Sequence, residues 1–162
     1  MGSLYGVDNT GLITTAAGIQ LPTSGGTPST LNYYEDTVSL TFVLSGPWAS
    51  SRNFPVTFSK IGKIVFANWT DLSPVATTSS SVINSGLTGG SVFIPTRYAP
   101  SVERYFCVQV YNGLLSGTVT NGEFAVKHGG NGWFISFTNS GNGGFTNPGF
   151  AGILAGQAFW TV

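Results

Sequence analysis

An all-β sandwich or barrel is the fold this sequence predicts, and three observations predict it. From Thr37 onward apolar and polar residues alternate with a period of two, which sends successive side chains to opposite faces of a strand. Turn-forming Gly, Asn and Pro interrupt that alternation roughly every 8–12 residues, the spacing of short antiparallel strands. No stretch carries the apolar spacing of an amphipathic helix.

Val38, Leu40, Phe42 and Leu44 share one face of a strand over 37–45, with Thr37, Ser39 and Thr41 opposite. Gly46-Pro47-Trp48 opens a turn-rich loop to Arg52. Phe54, Val56 and Phe58 alternate again, Lys60-Ile61-Gly62-Lys63 predicts a tight hairpin, and a strand returns over 64–69. Residues 70–79 read as a polar loop, 80–84 as a short strand, 86–90 as a turn and 91–95 as another strand. A loop with Arg97, Tyr98 and Pro100 leads to a strand over 104–111. Asn112-Gly113 and Asn121-Gly122 predict hairpin turns between strands 104–111, 114–120 and 123–127. A turn at 128–131, a strand over 132–138, a Gly/Asn loop over 139–149 and a final strand over 150–162 complete a set of about ten.

If every strand crosses the body, loops 46–53, 70–79, 96–103, 121–122 and 139–149 share one end. The turns at 60–63, 85–90, 112–113 and 128–131 then share the other, and Val162 returns beside Thr37. Before Thr37 the composition differs. Pro22, Pro28 and Gly25-Gly26 disfavour helix and central strand, so residues 18–36 read as an extended connector that docks Tyr33 and Tyr34 at its end. Residues 4–17 bear too few apolar side chains to bury a face and are expected to pair with copies of themselves. The expected division is 1–36, stalk end and collar, and 37–162, head.

Only 7% of residues are charged, against about 25% in an ordinary soluble domain, while 41% are hydrophobic. That balance predicts surface buried against further copies of the chain. The six cations are scattered along the sequence, so neither nucleic acid nor an anionic membrane is an expected partner. No apolar run is long enough to cross a bilayer, so no membrane insertion is expected. Cys107 is the one cysteine, which rules out an intrachain disulfide and a multi-cysteine metal site. Its strand pattern predicts a buried, inert thiol. Nothing in the chain asks for a metal or another cofactor.

Gly18-Ile-Gln-Leu-Pro22, the run from Gly25 to Glu35, Gly46-Pro47-Trp48, Ile94-Pro-Thr-Arg97 with Pro100, and the hydrophobic last strand together carry a resemblance. The sequence resembles the C-terminal heads of trimeric fibre proteins from phages, large viruses and some bacteria, and the C1q/TNF-like jelly roll. The resemblance implies a homotrimer at the tip of a viral or bacterial fibre, such as a tail fibre, exposed at a cell or particle surface. It does not carry a ligand over.

A hydrolase would need two carboxylates facing one substrate. Of the acids, only Asp71 and Glu103 reach the loop end together on the strand count. His128, between turn residues, reads as a solvated or interface side chain. Serine is abundant, but the Gly-x-Ser-x-Gly elbow is absent. A binding module, not an enzyme, is therefore expected, with a cell-surface glycan or glycoprotein as partner and loops 46–53, 96–103 and 139–149 as the face. Trp48, Arg52, Arg97, Tyr98, Asn142, Phe145 and Asn147 are its candidate contacts, because aromatic rings stack on sugars while amides and guanidinium groups hydrogen-bond hydroxyls. Trp48 and Tyr98 can equally cap the core, and Arg97 can equally pair with Glu103. A trimerisation cap that binds nothing and a fibre-borne polysaccharide hydrolase are the alternatives.

Overall fold

The computed structural model describes residues 36–85, 92–140 and 143–162, together with four short strands in the first 35 residues. The chain divides into two compact units, Met1–Glu35 and Asp36–Val162; the expected division fell one residue later. In the first unit β1 (Tyr5–Val7) pairs antiparallel with β2 (Ile13–Thr15), and β3 (Ile19–Leu21) with β4 (Ser29–Leu31). Within the span read as an extended connector, two short strands, β3 and β4, pair with each other. Tyr33 and Tyr34 lie outside the described residues.

The second unit is an antiparallel β-sandwich. One sheet has four strands in the order β14 (Gly156–Thr161), β7 (Ile64–Trp69), β6 (Arg52–Ile61), β5 (Asp36–Leu44). The other has six: β8 (Leu72–Ala76), β13 (Phe150–Ile153), β10 (Arg104–Gly113), β11 (Val119–Gly129), β12 (Gly132–Asn139), β9 (Ile83–Asn84). Strands β5-β6-β7 and β10-β11-β12 run as meanders within a sheet. A jelly roll interlocks two Greek keys; meanders dominate here, and the class the chain shows is the coarser one, an antiparallel sandwich.

Alternation builds the core as the sequence implied. Phe42, Leu44, Phe54, Val56, Phe58, Val65, Ala67 and Trp160 point inward from the small sheet, and Val110, Phe124, Val126, Ile135 and Phe137 from the large one, all buried. Rings interlock across the gap: Phe54 meets Phe137 edge-on at 5.6 Å and Trp69 lies 4.8 Å from Phe124. Pro55 is tolerated in β6 because the ladder to β7 starts only at Val56.

Several elements depart from the sequence reading. Pro74 sits in β8, an edge strand, where its missing donor costs no ladder bond, so a strand occupies the segment read as a polar loop. Asn121-Gly122 is no turn: β11 runs through it, and a Cβ on Gly122 would lie 2.5 Å from the Thr138 carbonyl oxygen. Glycine is there for close approach between strands. Asn112-Gly113 belongs to β10, and the turn proper is 114–118. Asn84 pairs with Ser136 and Ile94 bridges to Trp133, both antiparallel, so the described segments 83–85 and 92–94 run the same way along β12 and are not two opposed strands. The final strand breaks at Leu154-Ala155 and continues in the other sheet.

Candidate functional site

These departures redistribute the loops. Loops 45–51, 77–82 and 114–118 and segment 143–149 form one end of the sandwich, here the loop end. Asp36, the β6–β7 hairpin, loop 95–103, the β11–β12 hairpin and Val162 form the other, the base. Thr37 and Val162 lie at the same end, but β6 and β7 stand between their strands, so Val162 does not return beside Thr37 as expected. Loop 96–103 is at the base, opposite to where the strand count put it, because 80–84 and 91–95 had been counted as two crossings. Dividing β11 into 114–120 and 123–127 is a second miscount that cancels the first, so 139–149 falls where expected.

At the loop end the aromatic candidates are structural. Trp48 is buried and its Nε1 donates to the Ala151 carbonyl at 2.9 Å, with the Arg52 guanidinium 5.1 Å above the ring. Arg52 also donates to Ser73 O at 2.6 Å. Phe145 is 1% exposed. The loops are tied by neutral hydrogen bonds: Thr77 N to Gly149 O at 2.8 Å, Thr78 N to Pro47 O at 2.6 Å, Thr77 Oγ1 to Thr146 O at 2.8 Å, and Thr146 N to the buried Asn112 Oδ1 at 2.7 Å. Asn147 is exposed and accepts from Thr77 Oγ1 at 3.3 Å; Asn142 lies outside the described residues. Leu114 and Leu115, 72% and 75% exposed, also project here. Reading Asn112-Gly113 as the turn hid them, although a Leu-Leu pair between two Asn-Gly dipeptides was the available signal.

At the base Arg97 pairs with Asp36 at 3.3 Å, and not with Glu103. Lys60 Nζ donates to Arg97 O at 3.0 Å, and the guanidinium sits 4.9 Å over the Tyr98 ring. Tyr98 is fully buried, and Trp160 Nε1 donates to its carbonyl at 2.7 Å. The Tyr98 hydroxyl has no partner in hydrogen-bonding geometry. Burial raises its pKa, and the nearby Asp36 carboxylate adds to the rise while Arg97 opposes it. The structure therefore brings Arg52, Trp48, Phe145 and Asn147 to one end and Arg97 and Tyr98 to the other. Three of the four aromatic or amide groups it describes among them are not free to stack on a ligand.

Asp71 and Glu103 take separate partners. The Asp71 carboxylate accepts from the Ala155 amide where the chain changes sheet. Glu103 accepts from the Tyr105 hydroxyl at 2.6 Å and from the His128 amide at 3.1 Å. The tyrosine bond, then the amide, hold the Glu103 pKa below the usual carboxylate value, and the same carboxylate raises that of Tyr105. Lys127 lies 5.4 Å over the Tyr105 ring and His128 meets Trp133 edge-on at 5.1 Å. Cations scattered in sequence are thus gathered in space: Lys60, Lys63, Arg97, Arg104 and Lys127 are all at the base, and Arg52 alone is at the loop end. Among the described residues no group of three His, Cys, Asp or Glu side chains is placed to hold a metal, and no helix is long and apolar enough to cross a membrane.

The outward faces carry what the core does not need. On the small sheet Phe66 and Phe159 lie 6.2 Å apart, with Ile61 and Ile64 beside them toward the base; Phe159 is 64% exposed. On the large sheet Cys107 points outward and is exposed, contrary to the buried thiol expected. The reason is phase: Phe106, Val108 and Val110 take the inward positions of β10.

No protein-family model matches the chain, and no curated protein matches its sequence. Among solved structures, the reovirus attachment protein sigma1, determined in complex with alpha-2,3-sialyllactose, is similar over 98% of this chain and 86% of its own. The TM-score is 0.50 and the identity 12%. The likeness is one of fold, and it shows an all-β architecture shared with a viral attachment protein.

Proposed function

We propose that this chain is the receptor-binding head of a homotrimeric fibre, exposed at the fibre tip, which binds a cell-surface glycan and catalyses nothing. The observation that carries the reading is the shared fold across nearly the whole chain with a viral attachment protein that was solved with a sialylated sugar. The sparse charge and the outward strip of exposed Ile61, Ile64 and Phe159 with half-buried Phe66 support association between copies, since apolar surface of that kind favours burial. Three identical weak sites would then gain avidity on a surface that repeats its epitope. The separate partners of Asp71 and Glu103 favour binding over hydrolysis.

Light scattering should give three times the chain mass of 16.9 kDa, and Phe159→Asp should shift the species toward the monomer. A glycan array probed with the assembled protein should return at least one saccharide class, and the same glycan should compete for cell binding. A uniformly monomeric wild type would remove the trimer from the reading. An array blank in the presence of an intact trimer would favour the second reading, a trimerisation cap. The burial of Trp48, Tyr98 and Phe145 is the observation on that side.

A further inference from the structure

The sandwich is closed along one side and forked along the other. On the closed side Ser45 and Asn84 exchange main-chain hydrogen bonds at 2.9 Å, joining β5 to β9 across the sheets. On the other side β13 follows β10 only from Gly113 to Val110, and Leu154 N then donates to Gln109 O at 3.4 Å. Had the register continued, Cys107 would face Gly156. Instead the chain swings into the small sheet at Leu154-Ala155. Trp69 Nε1 holds the swing by donating to Leu154 O at 2.8 Å, and the Asp71 carboxylate holds it by accepting from the Ala155 amide. A Cβ on Gly156 would lie 2.9 Å from the Trp69 ring, so glycine lets that wall close down on the indole.

Where the strands part, a cleft of about 320 Å³ opens, lined by Cys107, Gln109, Asn121, Gly156 and Gln157 among others. Gln109, Asn121 and Gln157 are exposed, and each amide offers one acceptor and two donors on a planar head. Along a strand, alternate residues direct their main-chain groups to the same side. The N–H and C=O of Cys107 therefore face the side to which the Gln109 carbonyl points, where no strand lies among the described residues. No charged side chain lines the cleft. Phosphates and carboxylates would find no positive charge there, with Glu123 across the ladder from Cys107 and the Asp71 carboxylate on the Ala155 amide. Adjacent sugar hydroxyls, each both donor and acceptor, match paired amides and open peptide groups, and the volume is at the small end of ligand sites, about 300–1,000 Å³.

We propose that this lateral cleft binds an uncharged sugar of the receptor glycan, with Gln109, Asn121 and Gln157 reading its hydroxyls. The assignment rests on the glycan-binding reading and moves its site from the loops to the fork between β10 and β14.

Cys107 is the one cysteine of the chain, so its alkylation by N-ethylmaleimide reports directly on the cleft. The experiment uses the full chain, a panel of neutral oligosaccharides ending in hexose or N-acetylhexosamine, and alpha-2,3-sialyllactose as the acidic arm. At least one neutral glycan should slow alkylation about tenfold at saturation, and Gln109→Ala and Gln157→Ala should each weaken its Kd about tenfold. Arg52→Ala and Asn147→Ala should leave that Kd within about twofold, and thermal melting should confirm that all four variants fold. Wild-type affinity in both glutamine variants, with Cys107 unprotected, would overturn the site while leaving glycan binding intact. Binding of sialylated glycans alone would overturn the neutral class. No binding by any glycan would sink this proposal and the reading beneath it. Protection of Cys107 only by an extended peptide, pairing with the open edge of β10, would likewise overturn it.

Discussion

At the loop end Trp48 lies buried beneath Arg52 and donates to the carbonyl of Ala151; at the base Trp160 lies buried against Phe58 and donates to the carbonyl of Tyr98. Each indole thus fixes a peptide group of a separate segment, and Trp69 does the same for the change of sheet at Leu154. The surroundings differ. Around Trp48 the loops are joined by threonine, asparagine and main-chain hydrogen bonds, none of which titrates near neutrality. Around Trp160 the loop is held by Arg97 with Asp36 and by Lys60, and the neighbouring hairpin by Glu103 accepting from the His128 amide, all on the surface. The contrast separates rigidity from tuning. The loop end should be indifferent to pH and salt, whereas the base carries contacts that respond weakly to both. It also shows why aromatic loop residues misled: in a chain this poor in charge, rings are used to anchor loops to the core.

Removing the loop-end anchor should have the largest effect. Trp48→Ala deletes a buried ring and leaves the Ala151 carbonyl without its donor, a loss of about 3–5 kcal/mol in chemical unfolding. Trp48→Phe keeps most of the apolar surface and forfeits the hydrogen bond, about 1–2 kcal/mol. A cost below about 1 kcal/mol for Trp48→Ala would mean that the loop end is not anchored through this indole.

How much was legible in the sequence follows the same division. The strands with clear apolar/polar alternation, β5 and β6, lie where the sequence placed them, because period-two patterning is a local consequence of burying one face. Where a glycine or proline answers a tertiary demand, the local reading failed. Gly122 serves the approach of β12 and Pro74 exploits a sheet edge, and both looked like turns. The candidate site suffered more than the fold. Which end Arg97 and Tyr98 occupy depends on how often the chain crosses the body, so a single miscounted strand moved them from one end to the other. The cleft beside Cys107 had no sequence signal, since it exists only because the chain leaves one sheet for the other between Ile153 and Gly156.

Two substitutions at the base sharpen the comparison at a smaller scale. The Tyr98 hydroxyl is buried without a hydrogen-bond partner, so Tyr98→Phe should be neutral or stabilising by up to about 1 kcal/mol. At the loop end, where the buried Asn112 Oδ1 accepts from the Thr146 amide, the corresponding removal by Asn112→Leu should destabilise. A loss of stability in Tyr98→Phe would reveal a partner for that hydroxyl. Arg97→Ala breaks an ion pair whose side chains are 59% and 35% exposed, and should cost no more than about 1 kcal/mol, less in high salt.

The smallest effect is the most specific. Glu103 titrates below its ordinary 4.5 because its charged form accepts from the Tyr105 hydroxyl and the His128 amide. A depressed carboxylate contributes stability that is complete above its unfolded pKa and is lost as pH falls through the folded one. Tyr105 titrates above its ordinary 10.0, chiefly through the same contact, so its contribution is complete below the unfolded pKa and lost as pH rises through the folded one. Together they bound a plateau that spans neutral pH, on which the base hairpin is held shut. Glu103→Gln should return the Tyr105 titration, followed by its ring resonances in NMR, toward the ordinary tyrosine value and remove the acid flank of the plateau. It should leave the loop-end resonances unmoved, because no titrating group joins that network. A Tyr105 titration unchanged in Glu103→Gln would break the link, and a shift propagated to Trp48 would erase the distinction between the two ends.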